Sequence, residues 1–343
     1  MAPETAKPDT AETLKQQVTE AIRTVSVGHL SYGLLDFPYH WNIGDSAIWL
    51  GEVQILRRLH GKGPGYVSHL GFSVEEPGRH VPDGILYLHG GGNFGDIWPA
   101  HQIYRENILT RYPKHRIVQL PQSLHYADPV AIERSKRVIG AHPDFHFMVR
   151  DQESLDFVTR HFDCHALLVP DCAFGIDMAP FNRAARPAGI KCLFRSDKER
   201  RPDAEAGRAL FAGTQIEDWH GMADMARRRH GMRILKRIPD IPGKHHLMGL
   251  RSWAFNRMAM NIVTIGFQQL DAAEVIVTDR LHGHIMSALL EKPHVVIDNF
   301  YGKIANFIRA WGRDQVTRVA EDYREAHAMA AELLAASQEK RRG

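Results

Sequence analysis

Cysteine is scarce in this chain, with three residues, Cys164, Cys172 and Cys192, among 343. The odd number and the lack of a C-x-x-C spacing exclude a disulfide framework and a thiolate zinc site, and they point to a reducing compartment. No run reaches the roughly 18 consecutive apolar residues of a membrane span. The opening Met1-Ala-Pro-Glu-Thr5 also lacks the apolar core of a secretory signal. Charge of one sign is missing as well: 43 Lys and Arg face 40 Asp and Glu, a net charge of +3. So small an excess speaks against a dedicated nucleic-acid binder. The chain reads as cytoplasmic, with no nucleic-acid partner.

What is present is an ordinary globular mix of 44% hydrophobic and 24% charged residues. The length suits about two domains of roughly 150 residues each, with room for a sizeable core. Histidine is abundant, at 21 residues. Composition alone leaves metal binding, acid–base chemistry and anion binding open. The pairs His161/His165 and His245/His246 lack a third ligand at a diagnostic spacing, so no metal is expected; no cofactor is expected either.

Residues 1–10 are polar and are expected to be disordered. Leu14, Val18 and Ile22 then recur at helical spacing. Beyond them, apolar runs at Tyr32–Phe37, Gly65–Leu70, Ile85–His89, Arg116–Leu120, Phe145–Val149 and Ala166–Pro170 alternate with helical patterns such as Ser46–Leu59 and Pro99–Arg111. Such alternation predicts an α/β fold whose parallel sheet is covered on both faces. A polar, Ala/Pro/Arg-rich stretch over 178–189 marks a boundary. A second α/β region follows, with strands near Lys191–Phe194, Gln215–Asp218, Val275–Thr278 and Val295–Asp298. The division is a polar segment and helix over 1–28, Rossmann-like domains over 29–184 and 185–312 facing across a cleft, and a C-terminal helix with a basic tail over 313–343. The basic stretch 222–251 matches no pattern.

Four motifs fall at strand ends, where the loops of an open parallel sheet line its ligand crevice. In Asn42-Ile-Gly-Asp45-Ser46 a helix cap and a grip on substrate hydroxyls are both compatible with the residues. In His89-Gly-Gly91-Gly92-Asn93 consecutive glycines let backbone N–H groups approach an anion. No Gly-Lys-Ser/Thr of a P-loop follows them. In Val149-Arg150-Asp151 the arginine is placed to enter the crevice or to form a salt bridge. In Thr278-Asp279-Arg280-Leu281-His282-Gly283-His284 a guanidinium fork and an imidazole stand at the start of a helix expected over Ile285–Glu291, a strong site for phosphate or carboxylate. With Arg150 and Arg280 in different domains, two facing domains would grip one small ligand carrying both a phosphate and a carboxylate.

Together with Pro121-Gln-Ser123 and Pro170-Asp171, the order and spacing of these motifs resemble the polysaccharide pyruvyl transferases over about residues 31–310. The resemblance implies a GT-B-like pair of domains. It further implies transfer of the enolpyruvyl group of phosphoenolpyruvate onto sugar hydroxyls, giving a pyruvate ketal in exopolysaccharide or cell-surface glycan synthesis. By the same resemblance Arg150, Arg280, Leu281 and His282 hold the donor, while Gly91, Gly92, Asn93, Asn42 and Asp45 lie on the first-domain side. Asp45, His89 and His125 are the candidates for orienting or deprotonating the acceptor hydroxyl, and Arg195 would add positive charge. The glycan acceptor would be carried on a lipid. The basic runs Arg227-Arg-Arg-His230 and Lys340-Arg-Arg342 would then touch the inner membrane surface, or simply form a solvated face.

Three rivals compete. A nucleotide-sugar glycosyltransferase shares the architecture. A Gly-Asp-Ser esterase is imitated by Gly44-Asp45-Ser46 and Asp279-x-x-His282, although the chain has no G-x-S-x-G nucleophile elbow. A glycan-binding scaffold would use Trp41, Trp49 and Trp98 as stacking platforms.

Overall fold

The computed structural model describes residues 11–28, 31–181, 187–196, 200–219, 246–298 and 302–342. The basic run 227–230 lies outside them. Two compact units form, one from Lys15–Ile176 with Met222–Asn261, the other from Met1–Leu14, Asp177–Gly221 and Ile262–Gly343. Each carries its own parallel sheet of Rossmann type.

In the first unit α1 (Ala11–Ser26) leads into β1 (Tyr32–Leu35), α2 (Ile43–His60), β2 (Tyr66–Val67), α3 (Pro77–His80), β3 (Ile85–Leu88) and β4 (Gly91–Gly95). Then come α4 (Pro99–Arg111), β5 (Arg116–His125), α5 (Pro129–Gly140), β6 (Phe145–Val149), α6 (Gln152–His161) and β7 (His165–Leu168). The strand order is β2-β1-β3-β5-β6-β7, with β4 pairing onto the end of β5. Strands β1 and β3 are buried along their whole length. That is expected for a parallel sheet with helices on both faces, and it explains why these segments read as continuous apolar runs rather than alternating ones. On α1 the helical stripe Leu14, Val18, Ile22 and Val25 is buried. Each such side chain contributes about 1.5–3 kcal/mol relative to exposure.

The second unit begins with β8 (Ile190–Leu193), α7 (Ala204–Ala209) and β9 (Gln215–Glu217), and α8 (His246–Asp271) follows in the chain. It continues with β10 (Val275–Thr278), α9 (Leu281–Leu289), β11 (His294–Ile297), α10 (Lys303–Trp311), β12 (Thr317–Ala320) and α11 (Tyr323–Arg342). Its sheet runs β12-β11-β10-β8-β9, all parallel. Val275, Val277, Val295 and Ile297 form its core with Phe194, Phe211, Tyr323, Ala326 and Ala330. The first part of α8, from the end of the stretch left unassigned above to Asn261, groups with the first unit. The cause is aromatic: Phe255 stacks on Phe37 at 4.3 Å, and Asn256 accepts a 3.0 Å hydrogen bond from Trp49 Nε1.

Each sheet has one point at which the strand order reverses. In the first it falls between β1 and β3, because the chain passes from β1 to β2 on one side and returns to β3 on the other. In the second it falls between β8 and β10 for the same reason. Ligands of open parallel sheets bind beyond the carboxyl ends of the strands at such a point.

Candidate functional site

The residues following β8 and β10 build the second unit's reversal point. Asp279 is 1% exposed and accepts a 2.8 Å bond from the Arg195 backbone N–H, tying the two strand ends together. Burial pushes its carboxyl up to about 6, against the pull of that N–H and of the Arg280 and Arg195 charges. Helix α9 starts at Leu281, four residues earlier than expected, so Arg280 is its N-cap. The Arg280 fork is bidentate on Asp218, with Nε donating to Oδ1 at 2.6 Å and Nη2 to Oδ2 at 2.7 Å. Although burial opposes it, the Arg280 contact together with Ser196 and the Trp219 N–H holds Asp218 down at about 2. A carboxylate fixed in this way orients the guanidinium permanently.

Leu281 is buried in the core, and His282 occupies the first turn of α9 half-buried. Gly283 is needed for packing: a Cβ there would lie 2.3 Å from Thr278 Oγ1, which itself donates to the Leu193 carbonyl. His284 turns away from the loop into a buried pair with His294, Nδ1 to Nε2 at 2.8 Å. Its imidazole is held neutral by burial. Part of the histidine excess is therefore structural.

At the first unit's reversal point, Asn42 caps α2 by accepting from the Gly44 N–H at 3.0 Å. Asp45 lies in the first turn of α2, 3.5 Å from His40 Nε2. The glycine motif is not a loop before a helix. Gly91–Gly95 is the short strand β4, and Gly91 and Gly95 adopt φ of +125° and +113°. A Cβ on Gly95 would lie 1.8 Å from the His125 carbonyl oxygen, so close backbone approach dictates the residue. Gly92 lies within the same strand. Asn93 is locked in place: its Oδ1 accepts from Arg105 Nη2 and, at 3.1 Å, from Gln122 Nε2. His125, at the exposed end of β5, pairs with Gly95 at the far end of β4. Beside Asp45 stands a pair that the motif reading missed in part. His89 Nδ1 donates to Glu52 Oε2 at 2.7 Å, and Glu52 Oε1 accepts from the Gly90 N–H at 2.8 Å. The available signal was a carboxylate embedded in the apolar run Ile48-Trp49-Leu50-Gly51-Glu52-Val53.

Arg150 follows β6, away from the reversal point. It is 1% exposed, with Nη1 donating to Asp171 Oδ2 at 2.5 Å and Nε to Ser123 Oγ at 2.9 Å. Ser123 in turn donates to Asp151, the N-cap of α6. Of the tryptophans considered as sugar platforms, Trp49 is core. Ser46 belongs to the first unit, and Asp279 and His282 to the second.

The model of the family described as polysaccharide pyruvyl transferase matches residues 42–299, which include every strand-end motif above. The chain belongs to the polysaccharide pyruvyl transferase family. It is similar to the provisionally named pyruvyl transferase EpsO of Bacillus subtilis, with 31% identity over 80% of this chain and 84% of that one. Pyruvyl transferase 1 of Schizosaccharomyces pombe is 30% identical over 81% of this chain and 69% of its own. A crystal structure of a functionally uncharacterised Klebsiella pneumoniae protein shares the fold, with a TM-score of 0.55 at 16% identity over 90% of this chain and 98% of that one. This pyruvyl transferase family member is thus an enzyme built on two Rossmann-like sheets. Among its described residues no helix is long and apolar enough to cross a membrane.

Proposed function

We propose that the enzyme transfers the enolpyruvyl carbons of phosphoenolpyruvate onto sugar hydroxyls of an exopolysaccharide or cell-surface glycan, forming a pyruvate ketal and releasing phosphate. The observation that carries this reading is the Asp279-Arg280-Leu281-His282 turn at the second sheet's reversal point, inside the matched family region. Arg280 is the donor's principal cation. Asp218 fixes its fork, so no reorganisation is needed when charge builds on the departing phosphate. The backbone N–H groups of Leu281 and His282, in the first turn of α9, and the His282 imidazole add donors for the same anion. Arg195, at the end of β8, supplies a second positive charge beside Asp279. Arg150, engaged by Asp171 and Ser123, keeps the loop after β6 in place. On the first unit, Asn42, Asp45 and the Gly91-Gly92-Asn93 segment serve the acceptor.

The reaction needs a proton on C3 of the enol ether and attack of sugar oxygen on C2. The test is product analysis after incubation with phosphoenolpyruvate and candidate oligosaccharides, offered free and lipid-linked. Phosphate release together with a pyruvate ketal on the sugar is expected. Consumption of a nucleotide sugar while phosphoenolpyruvate stays intact would instead establish a glycosyltransferase.

A further inference from the structure

We propose that His89, oriented by Glu52, takes the proton from the attacking sugar hydroxyl in the transfer proposed above, on which this assignment rests. His89 is the first residue after β3, at the reversal point of the first sheet. Both oxygens of Glu52 are engaged, one by His89 Nδ1 and one by the Gly90 N–H, so the carboxylate cannot rotate away. A carboxylate only accepts, which places the ring proton on Nδ1 and leaves the lone pair of the neutral imidazole on Nε2. That Nε2 is shielded from solvent and has no hydrogen-bond partner among the described residues. Buried nitrogens are normally paired, so an unpaired one marks a place where a ligand supplies the missing donor.

The surroundings support a proton acceptor. Asp45 from α2, Asp36 just after β1 and His40 from the following loop act with Glu52 on His89, and Asp171 acts on Glu52. Burial works against the imidazolium, but Glu52, Asp45 and Asp36 outweigh it and raise the pKa of His89. Asp36 holds a left-handed backbone, φ 69°, uncommon for a non-glycine residue. Its Oδ2 accepts from His101 Nδ1 at 2.8 Å, while its Oδ1 is buried without a partner among the described residues. Strain and unpaired polar atoms collect at ligand sites rather than in plain cores.

The proton balance closes. As the sugar oxygen bonds to C2, its proton passes to Nε2 of His89, which hands it to C3 as the electrons of the C2–C3 double bond form the new C–H bond. The second hydroxyl then bonds to C2 as the C2–O bond to phosphate breaks, its electron pair leaving on phosphate. Two hydroxyl protons are released. One ends on C3 and one on the phosphate, so His89 finishes the cycle as it began. Glu52 is the positioning residue, holding the tautomer and stabilising the transient imidazolium.

The experiment compares His89→Gln and Glu52→Gln with wild type, following ketal formation across pH with circular dichroism as a folding control. His89→Gln is expected to lower kcat by about a hundredfold or more, with the KM for phosphoenolpyruvate within a few-fold of wild type. Glu52→Gln is expected to lower kcat and to move the acidic limb of the pH–rate profile to lower pH, a change that a purely structural role would not produce. An unchanged kcat in folded His89→Gln, or an unmoved acidic limb in folded Glu52→Gln, overturns the assignment. Should neither variant fold, 15N NMR of the wild-type histidines decides the matter: a neutral His89 protonated on Nε2 rather than Nδ1 refutes it. If wild type itself makes no ketal from phosphoenolpyruvate with any acceptor, the parent reading fails and this one with it.

Discussion

The strand ends of the two sheets are built alike and stocked differently. Both place their special residues at the one point where strand order reverses, β1/β3 in the first unit and β8/β10 in the second. The first carries carboxylates and imidazoles, namely Asp36, His40, Asp45, Glu52, His89 and His101. The second carries a fixed cation, Arg280 on Asp218, at the start of a helix. In the transfer proposed above, the same turn serves proton transfer in one sheet and anion binding in the other, the two requirements of that reaction. Arg150 sharpens the point. It too follows a strand, but not at a reversal, and it is sealed in an ion pair with Asp171.

The comparison can be broken most severely at Arg150. Its replacement by alanine leaves Asp171 charged and buried, and is expected to cost about 3–5 kcal/mol of stability, read by urea denaturation. The KM for phosphoenolpyruvate of the protein that still folds should stay near that of wild type. A stable Arg150→Ala protein that has lost donor binding would erase the distinction between the two arginines.

A second expectation concerns Asp279. Its carboxyl sits at about 6 when folded, against 3.8 ordinarily. The folded state therefore binds this proton more tightly, adding stability that is complete below about pH 4 and lost as pH rises through about 6. Relative to Asp279→Asn, wild type should lose about 2 kcal/mol between pH 4 and pH 7, measured by denaturation at both values. Parallel pH dependences in the two proteins would contradict the burial argument.

Gly283→Ala is the mildest of these tests. Its Cβ would press on Thr278 Oγ1 and displace the first turn of α9, costing about 1–3 kcal/mol. It should raise the KM for phosphoenolpyruvate without altering the acidic limb of the pH–rate profile. A shift in that limb instead would assign proton transfer to the wrong sheet.

Much of this architecture was readable before any coordinates, and the failures have physical causes. Apolar runs located β1, β3, β6, β8, β10 and β11 because buried parallel strands leave a strong compositional mark. Strand β5 was expected to end at Leu120, since Pro121 removes a ladder donor. It continues to His125 because the register shifts between Gln119 and Gln122 and accommodates the proline. Strand β4 was missed because Gly91-Gly92-Asn93-Phe94-Gly95 has no side-chain alternation to read. At the site, Arg280 and His282 were legible as a local motif. Asp218 was not, because it lies 62 residues from Arg280 and only the β9 strand end brings it there. Glu52 is 37 residues from His89 and was hidden inside an apolar helix face. Partners supplied by other strands leave no spacing rule in the chain.

The most direct test of the account is kcat/KM for phosphoenolpyruvate in wild type and Arg280→Ala. A drop of about 10²–10³ in a protein of wild-type thermal stability is the predicted result. Unchanged turnover in folded Arg280→Ala would contradict the anion-binding assignment of the second sheet.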